Sequence, residues 1–197
     1  MRKIIAITHV TLDGVMQAPG GPEEDPRGGF TQGGWSAPYR SEAGMKLVHE
    51  IMAGPFDLLL GGWTYRLFAS YWPAQGDDPI GRAFNRATKY VVTRGQAPLG
   101  WEKSVRVAGE IAGELLRLKA SEGPDLHVWG SGELLRTLYG AGLVDEHRLW
   151  VFPVVLGRGR RLFPDGIPPG EFALVESRPT PTGVLLATYR PRPARAG

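Results

Sequence analysis

Residues 125–163 read DLHVWGSGELLRTLYGAGLVDEHRLWVFPVVLGRGRRLF. Two segments of this stretch, 126–129 and 149–156, are rich in apolar, β-forming residues, which is typical of strands. Between them, apolar residues recur at helical spacing over 134–139, and glycines at 140 and 142 end the predicted helix. The order of strand, turn, helix and strand indicates an α/β fold.

The turn between the first of these strands and the helix consists of Gly130, Ser131 and Gly132. Such a turn exposes backbone N–H groups at the positive end of the helix dipole, which favours binding of a phosphate. A plain tight connection explains the same three residues, and the turn is shorter than the G-x-G-x-x-G dinucleotide motif. Glu133 complicates phosphate binding, because it places a negative charge in the first helical turn.

The rest of the chain continues the alternation of strands and helices. Strands are predicted at 3–8, 56–60, 89–93 and 105–107, helices at 41–53, 80–86 and 111–120, a long glycine- and proline-rich loop at 18–34, and a final pair of strands at 172–177 and 184–189. The final pair predicts an antiparallel hairpin. We therefore expect a mostly parallel central sheet with helices on both faces and antiparallel C-terminal edge strands. One domain is expected over 1–190, followed by a flexible basic tail at 191–197.

Composition excludes several classes of function. The hydrophobic share of 42% and the charged share of 22% are those of an ordinary globular protein. The net charge is only +3, with no basic face that carries interleaved aromatics, so nucleic-acid binding is not expected. The lack of cysteine excludes disulfides, thiolate catalysis and cysteine-based metal sites, and it fits a reducing cytoplasm.

Targeting signals are not evident in the sequence. The apolar run within the first ten residues is too short for the core of a signal peptide, and no apolar stretch reaches membrane-spanning length. We therefore expect a cytoplasmic protein that acts on a small molecule, without a metal ion and without a membrane partner.

Three predicted strand ends carry groups suited to phosphate. They are the turn of Gly61, Gly62, Trp63 and Thr64, the pair Thr93 and Arg94, and the turn at 130–132. In an open α/β sheet, ligands bind outside the carboxyl ends of the strands. The two glycine turns suit the two halves of a pyrophosphate, and the guanidinium of Arg94 suits a third, terminal phosphate. Together these groups indicate NADPH, although each taken alone is equally a turn, a cap or a solvated arginine.

Five blocks of the sequence carry a resemblance to a known family. They are THVTLDGVM at 8–16, LLLGGWTY at 58–65, VVTR at 91–94, HVWGSGELLRTL at 127–138 and LVDEHRLWVFPVVLGRGRRLF at 143–163. In this order they resemble the dihydrofolate reductase-like superfamily, and in particular stand-alone relatives of the riboflavin-biosynthesis reductase domain. The resemblance implies a three-layer αβα fold around a mostly parallel sheet, with NADPH as the hydride donor.

The resemblance also implies roles for particular residues. In the family, the turn matching 61–64 contacts the cofactor phosphates, and the residues matching Thr93 and Arg94 lie at the adenosine 2′-phosphate. The turn matching 130–132, with its neighbours Trp129 and Glu133, lies under the pyrophosphate. The loop matching residues 12–16 passes near the nicotinamide and the substrate.

Two departures from the family pattern concern charged residues. Dihydrofolate reductases usually carry arginine after the first glycine of the phosphate turn, where this chain has Gly62. Folate enzymes also place an acid early in the helix after the first loop, and Glu42 is the nearest carboxylate here. The riboflavin enzyme is often fused to a zinc deaminase, whose Cys-x-x-Cys motif this chain lacks.

The resulting functional prediction is an NADPH-dependent oxidoreductase. It would reduce a C=N bond of a pterin-like, pyrimidine-like or ribosyl-imine substrate by hydride transfer. Asp13 is the candidate for a catalytic, substrate-side residue, although a turn aspartate is the commoner interpretation of this position. Trp35 and Tyr39 are candidate substrate contacts.

Histidines are interpreted mainly as structural. His9 is a candidate for acid–base catalysis or a structural residue, His127 is predicted to be structural, His49 to face the core beside Met45, and His147 to lie on the surface. The alternative functions are a nucleotide-binding regulatory or degenerate relative without turnover, and, more weakly, an interaction module. Apolar edge strands near the C-terminus predict a homodimer.

Overall fold

An eight-stranded sheet runs through the centre of the computed structural model, which describes residues 1–192. The strands are β1 (Ile4–Thr11), β2 (Phe56–Gly61), β3 (Lys89–Val92), β4 (Ser104–Val107), β5 (Asp125–Trp129), β6 (Glu146–Phe152), β7 (Phe172–Pro179) and β8 (Leu185–Pro191). Their order across the sheet is β4-β3-β2-β5-β1-β6-β8-β7. All pairs from β4 to β6 are parallel, and β8 pairs antiparallel with both β6 and β7. The predicted parallel sheet with an antiparallel C-terminal edge is confirmed.

Within residues 1–192, five α-helices cover the two faces of this sheet. They are α1 (Glu42–Ile51), α2 (Gly62–Tyr71), α3 (Pro79–Arg86), α4 (Ile111–Ala120) and α5 (Gly132–Gly140). The alternation of side chains along β1 explains the layering, because neighbouring residues point to opposite faces. Ile4 shares an apolar cluster with Leu115 of α4 and Leu135 of α5, whereas Ile5 packs in the cluster that contains Leu47 of α1. The three-layer αβα architecture follows from this arrangement.

The first helix begins where the sequence predicts it, but it turns a different face to the core. Ser41 is the N-cap, and its side chain accepts a hydrogen bond from the backbone N–H of Gly44. Leu47 is the buried residue of the helix, while Met45 and His49 are exposed. The prediction that His49 faces the core is therefore wrong.

The strand after the fifth helix lies three to four residues earlier than predicted. β6 spans Glu146–Phe152 instead of 149–156, because Pro153 has no N–H group to continue the ladder. On the other side of the pair, β1 extends to Thr11, beyond its predicted end at residue 8, since it stays in register with β6 as far as Phe152. The parallel pair β1–β6 is thereby longer at the carboxyl ends of the two strands.

His147 is another residue whose environment differs from the prediction. The sequence predicts it on the surface, yet it is only 2% exposed. Its ring stacks on Tyr139 at a centroid distance of 5.4 Å and meets Phe172 edge-on at 5.1 Å. The β7–β8 hairpin and the helix α5 enclose it, which a pattern read along one strand does not reveal.

The C-terminal strand runs further than predicted. β8 continues to Pro191, so the predicted tail at 191–197 begins inside the last strand, and residues 193–197 lie outside the part that the structure describes. Among residues 1–192, no helix is both long and apolar enough to cross a membrane.

Candidate active site

A cleft of about 2110 Å³ lies along the carboxyl ends of the parallel strands. This is the edge of the sheet where an open α/β fold binds its ligands. Every residue that the sequence predicts as a cofactor contact lines this cleft: Gly61, Gly62, Trp63, Thr64, Thr93, Arg94, Trp129, Gly130, Ser131, Gly132 and Glu133.

Ser131 joins the two glycine turns. Its hydroxyl accepts a hydrogen bond from the backbone N–H of Gly61 at 3.0 Å and donates one to Thr64 Oγ1 at 2.8 Å. Ser131 adopts a left-handed conformation with φ 66°, which is uncommon for a residue with a side chain. The N-termini of α2 and α5 are thereby held next to each other at the cleft.

Neither of these two helices has a side-chain cap at its N-terminus. Gly61 has no side chain to offer, and Ser131 uses its hydroxyl on the neighbouring turn instead of on its own helix. Backbone N–H groups in the first turn of a helix otherwise need a partner, and the helix dipole favours an anion there. Gly130 leaves the turn open, since nothing lies within 4 Å of the position that a Cβ would occupy. The two turns fit a pyrophosphate.

Thr93 and Arg94 follow the end of β3 at the same cleft. The Thr93 hydroxyl accepts a hydrogen bond from the backbone N–H of Gly95 at 3.1 Å. Arg94 is exposed, and it forms no ion pair with any carboxylate in residues 1–192. An unpaired guanidinium beside a hydroxyl fits a terminal phosphate group.

Aromatic rings form another part of the cleft wall. His9 on β1 lies between Phe152 at a centroid distance of 5.2 Å and Trp150 at 5.8 Å, both on β6. Tyr39, predicted as a substrate contact, lines the cleft and meets Phe152 at 5.9 Å. These four rings pack against one another and line the cleft, and an aromatic wall of this kind fits a flat, conjugated ligand.

His9 is uncharged at neutral pH in this wall. Burial lowers its pKa to about 4, and the positive charge of Arg40 lowers it in the same direction. Arg40 also lines the cleft and forms no ion pair within residues 1–192. At pH 7 the imidazole therefore offers one donor and one acceptor, but no imidazolium proton.

Two residues of this wall, Trp150 and Phe152, were missed as candidates from the sequence. The available signal was their i, i+2 spacing, which places both side chains on one face of a strand. The parallel register sets His9 opposite Trp150, and that pairing cannot be read from either segment alone.

Asp13, the predicted catalytic residue, does not line the cleft. Its carboxylate accepts hydrogen bonds from the Thr11 hydroxyl at 2.6 Å and from the backbone N–H groups of Leu156 at 3.2 Å and Gly157 at 2.8 Å. The Thr11 hydrogen bond is the main cause of a pKa below the ordinary value for this carboxyl, and the two N–H groups act in the same direction. Asp13 fastens the loop after β1 to the loop after β6, so this geometry does not support a catalytic role.

Trp35, a predicted substrate contact, is also placed elsewhere. It is buried in the core, and its indole Nε1 donates to the backbone carbonyl of Gln17 at 2.7 Å. The prediction treated its aromatic bulk as a ligand surface, whereas this bulk closes the base of the long loop at 18–34.

The loop at 18–34 is ordered around the buried side chain of Gln17. Gln17 Nε2 donates to the backbone carbonyls of Asp25 at 3.0 Å and Arg27 at 2.8 Å, and Gln17 Oε1 accepts from the backbone N–H of Arg160 at 3.0 Å. The Arg27 guanidinium lies over the Trp63 ring, 4.0 Å from its centroid. The loop thus reaches the first turn of α2 and forms one side of the cleft.

Three of the six carboxylates that line the cleft within residues 1–192 are engaged in the structure of the protein itself. Glu24 accepts from the backbone N–H groups at 20 and 21, Asp25 pairs with Arg27, and Asp78 caps α3. Glu42 does not line the cleft, and within the described residues no lining carboxylate belongs to α1, β1 or β6. Residues 1–192 contain no group of three or more His, Asp or Glu arranged to hold a metal ion.

A family assignment follows from the sequence match. The model of the RibD C-terminal domain matches residues 2–186, which is nearly the whole chain. The chain belongs to the RibD C-terminal domain family. An uncharacterised relative in this size range, YyaP of Bacillus subtilis strain 168, is 29% identical over 197 residues, covering 95% of this chain and 94% of the relative.

Solved structures share the RibD-type fold with this chain. A protein assigned to riboflavin biosynthesis from Shewanella sp. PV-4 has a TM-score of 0.68 at 20% identity, covering 97% of this chain and 99% of that protein. A pyrimidine reductase-like protein from Corynebacterium diphtheriae has a TM-score of 0.60 at 12% identity, with 98% and 92% covered. Dihydrofolate reductase from Enterococcus faecalis, complexed with NADP(H) and RAB-propyl, has a TM-score of 0.60 at 17% identity, with 97% of each chain covered. The predicted dihydrofolate reductase-like fold is confirmed.

Proposed function

We propose that the protein is an NADPH-dependent reductase that transfers hydride to a C=N bond of a small, planar acceptor. The observation that carries this proposal is the shared cleft, in which two uncapped helix N-termini and Arg94 face the same space as the aromatic wall around His9. Membership of the RibD C-terminal family supports a reductase, and the structural neighbour with NADP(H) supports a nicotinamide cofactor.

Different residues of the cleft would bind different parts of the cofactor. The turn at 61–64 and the turn at 130–132 would hold the pyrophosphate through backbone N–H groups, while Thr93 and Arg94 would hold the 2′-phosphate. When bound, NADPH supplies the hydride, and the protein supplies binding and orientation. Glu133 in the first turn of α5 opposes the anion electrostatically, so it weakens rather than strengthens this contact.

The aromatic wall would orient the acceptor. The rings of His9, Tyr39 and Phe152 restrict a flat ligand to a few orientations and exclude water from the reacting face. Neutral His9 has no imidazolium proton at pH 7, so it can hydrogen-bond the acceptor without acting as its principal acid. The proton that completes C=N reduction would then come from water, held or relayed at this wall.

Pterin-like, pyrimidine-like and ribosyl-imine acceptors remain the proposed substrate classes. All offer a conjugated C=N group that suits the aromatic wall. The folate-type acid has no counterpart on α1 in the cleft, since Glu42 lies outside it. This observation favours acceptors that do not depend on a carboxylate partner, and it also supports a second candidate function, a nucleotide-binding relative without turnover.

Fluorescence titration with NADPH and NADH tests the proposal on the wild type and on Arg94→Ala. We expect NADPH to bind more tightly than NADH, and the substitution to weaken NADPH by roughly tenfold or more while leaving NADH unchanged. NADPH oxidation with a panel of the three acceptor classes then separates the two candidate functions. Binding of neither nucleotide would refute the reductase, and binding without oxidation across the panel would favour the regulatory relative.

A second copy of the chain is the proposed protein partner. β7 is the edge strand of the sheet, and most of its residues are exposed on both faces. Leu174 and Val175 are 56% and 48% exposed, next to unpaired backbone groups of the strand edge. An apolar edge of this kind favours strand pairing with an identical chain around a two-fold axis.

A further inference from the structure

The turn that opens α2 has no side chain at residue 62, yet the space beside it is filled. A Cβ on Gly62 would lie 2.8 Å from Thr93 Oγ1, 3.1 Å from Thr93 Cβ and 3.9 Å from an Nη atom of Arg66. The first of these distances is too short for a real contact, so glycine is required as long as Thr93 keeps this position. The guanidinium of Arg66 therefore lies directly beside the turn.

Helix geometry explains why Arg66 reaches this place. Residues four apart lie on the same face of a helix, and side chains tilt toward the helix N-terminus. Arg66 is four residues after Gly62, so its side chain extends back over the first turn of α2. The ring of Trp63 supports it, with the Arg66 guanidinium carbon 5.3 Å from the ring centroid.

Arg66 also lacks a carboxylate partner within the described residues. It lines the cleft, its side chain is exposed, and it makes no ion pair with a carboxylate of residues 1–192. Arg94 is in the same situation, and its neighbour Thr93 lies against the first turn of α2, over which the Arg66 side chain extends. Two unpaired guanidinium groups beside one hydroxyl fit a phosphate dianion better than either group alone.

We infer that Arg66 binds the adenosine 2′-phosphate together with Arg94, and so replaces the arginine that related reductases carry at the position of Gly62. This inference rests on the proposed function, because it assigns a further residue to the same cofactor site. The cation comes from one helical turn later, and the missing side chain at 62 leaves room for Thr93 and for the returning guanidinium. Selectivity for NADPH over NADH is then shared between α2 and the segment after β3.

The experiment compares NADPH and NADH binding by fluorescence titration in Arg66→Ala, Arg66→Lys, Arg94→Ala and the double alanine variant. Arg86→Ala is the matched control, since Arg86 is an exposed arginine on α3 outside the cleft. We expect Arg66→Ala to weaken NADPH by roughly tenfold, to leave NADH within twofold, and to reduce the salt dependence of NADPH binding. The NADPH affinity of Arg66→Lys should lie between those of the wild type and Arg66→Ala. The double alanine variant should bind NADPH and NADH with equal affinity.

Several outcomes would overturn this inference. Unchanged NADPH affinity in Arg66→Ala refutes it while the proposed function stands on wild-type binding. An equal loss for NADPH and NADH also refutes it, because it places Arg66 at the pyrophosphate or in a structural role. Wild-type protein that binds neither nucleotide overturns the proposed function and this inference together.

Discussion

The hydroxyl of Ser131 donates a hydrogen bond to Thr64 Oγ1 at 2.8 Å, although 67 positions separate the two residues in the chain. The same oxygen accepts the Gly61 N–H, so one hydroxyl sets the distance between the first turns of α2 and α5. Each turn alone is an ordinary connection between strand and helix. The bridge between them brings the N-termini of both helices together at the cleft, which is the arrangement that the proposed pyrophosphate site requires.

Replacement of Ser131 tests this bridge. Ser131→Ala removes both hydrogen bonds, and we expect the free energy of unfolding to fall by about 1–2 kcal/mol. Because the bridge positions the pyrophosphate turns, binding of NADPH and NADH should weaken together. Ser131→Gly is the matched variant: it loses the same bonds but relieves the left-handed backbone at φ 66°, so it should be about 1 kcal/mol more stable than the alanine variant. Urea unfolding measures both, and equal stability of Ser131→Ala and wild type would contradict the bridge.

Asp13 is expected to matter for stability and not for turnover. Asp13→Asn weakens the contacts with the Leu156 and Gly157 N–H groups, and we expect a loss of about 1 kcal/mol of unfolding free energy with unchanged nucleotide affinity. The folded pKa lies below the unfolded value of 3.8, so this contribution is present above pH 4 and disappears as the pH falls further. Loss of NADPH oxidation at unchanged stability in Asp13→Asn would restore the catalytic role.

Buried histidines predict a loss of stability in mild acid. Burial lowers the pKa of both His127 and His147 to about 4, against 6.5 in an unfolded chain. Around His127, Arg148 lowers the pKa as well, while Asp125 and Glu146 oppose the shift. Between pH 6.5 and 4 the unfolded chain binds protons that the folded protein excludes, so stability falls as the pH falls, by up to about 1.4 kcal/mol per pH unit for each histidine.

His147→Phe separates this effect from other titrations. The substitution keeps the aromatic stacking on Tyr139 but removes the titrating group. Unfolding free energies measured by urea at several pH values should therefore show a flatter slope between pH 4 and 6.5 than in the wild type. An unchanged slope would mean that His147 binds its proton in the folded protein as readily as in the unfolded chain.

Local patterns in the sequence were sufficient for the individual strands, the helices and the glycine turns at the strand ends, because each of these depends on neighbours within a few residues. The mostly parallel sheet followed from the alternation of strands and helices along the chain. The residues whose surroundings differ from the prediction are held by distant contacts. Asp13 is occupied by a turn 143 residues away, and His147 is buried by the β7–β8 hairpin. Arg66 was missed for a related reason. Its side chain becomes a candidate for phosphate binding only when Gly62 and Thr93 are known to be close.

The side chain of Gln17 is expected to hold the loop at 18–34 in its folded conformation. Gln17→Ala removes three hydrogen bonds from the centre of the loop, and we expect faster limited proteolysis within it, by roughly tenfold or more. Gln32→Ala is the control, because Gln32 is an exposed residue of the same loop. Equal cleavage rates in the two variants would show that the loop does not depend on Gln17.

The proposed dimer makes a prediction about the edge strand. Leu174→Glu places a charge on β7 where a second copy would pair, so the variant should sediment as a monomer in analytical ultracentrifugation while the wild type sediments as a dimer. Val155→Glu is the matched control, since Val155 is 65% exposed and lies outside β7. It should remain dimeric.

Because the cleft lies at the carboxyl ends of the parallel strands, the monomeric variant should still bind NADPH, which distinguishes a lost interface from a lost fold. A monomeric wild type would refute the dimer and leave the cofactor site unaffected.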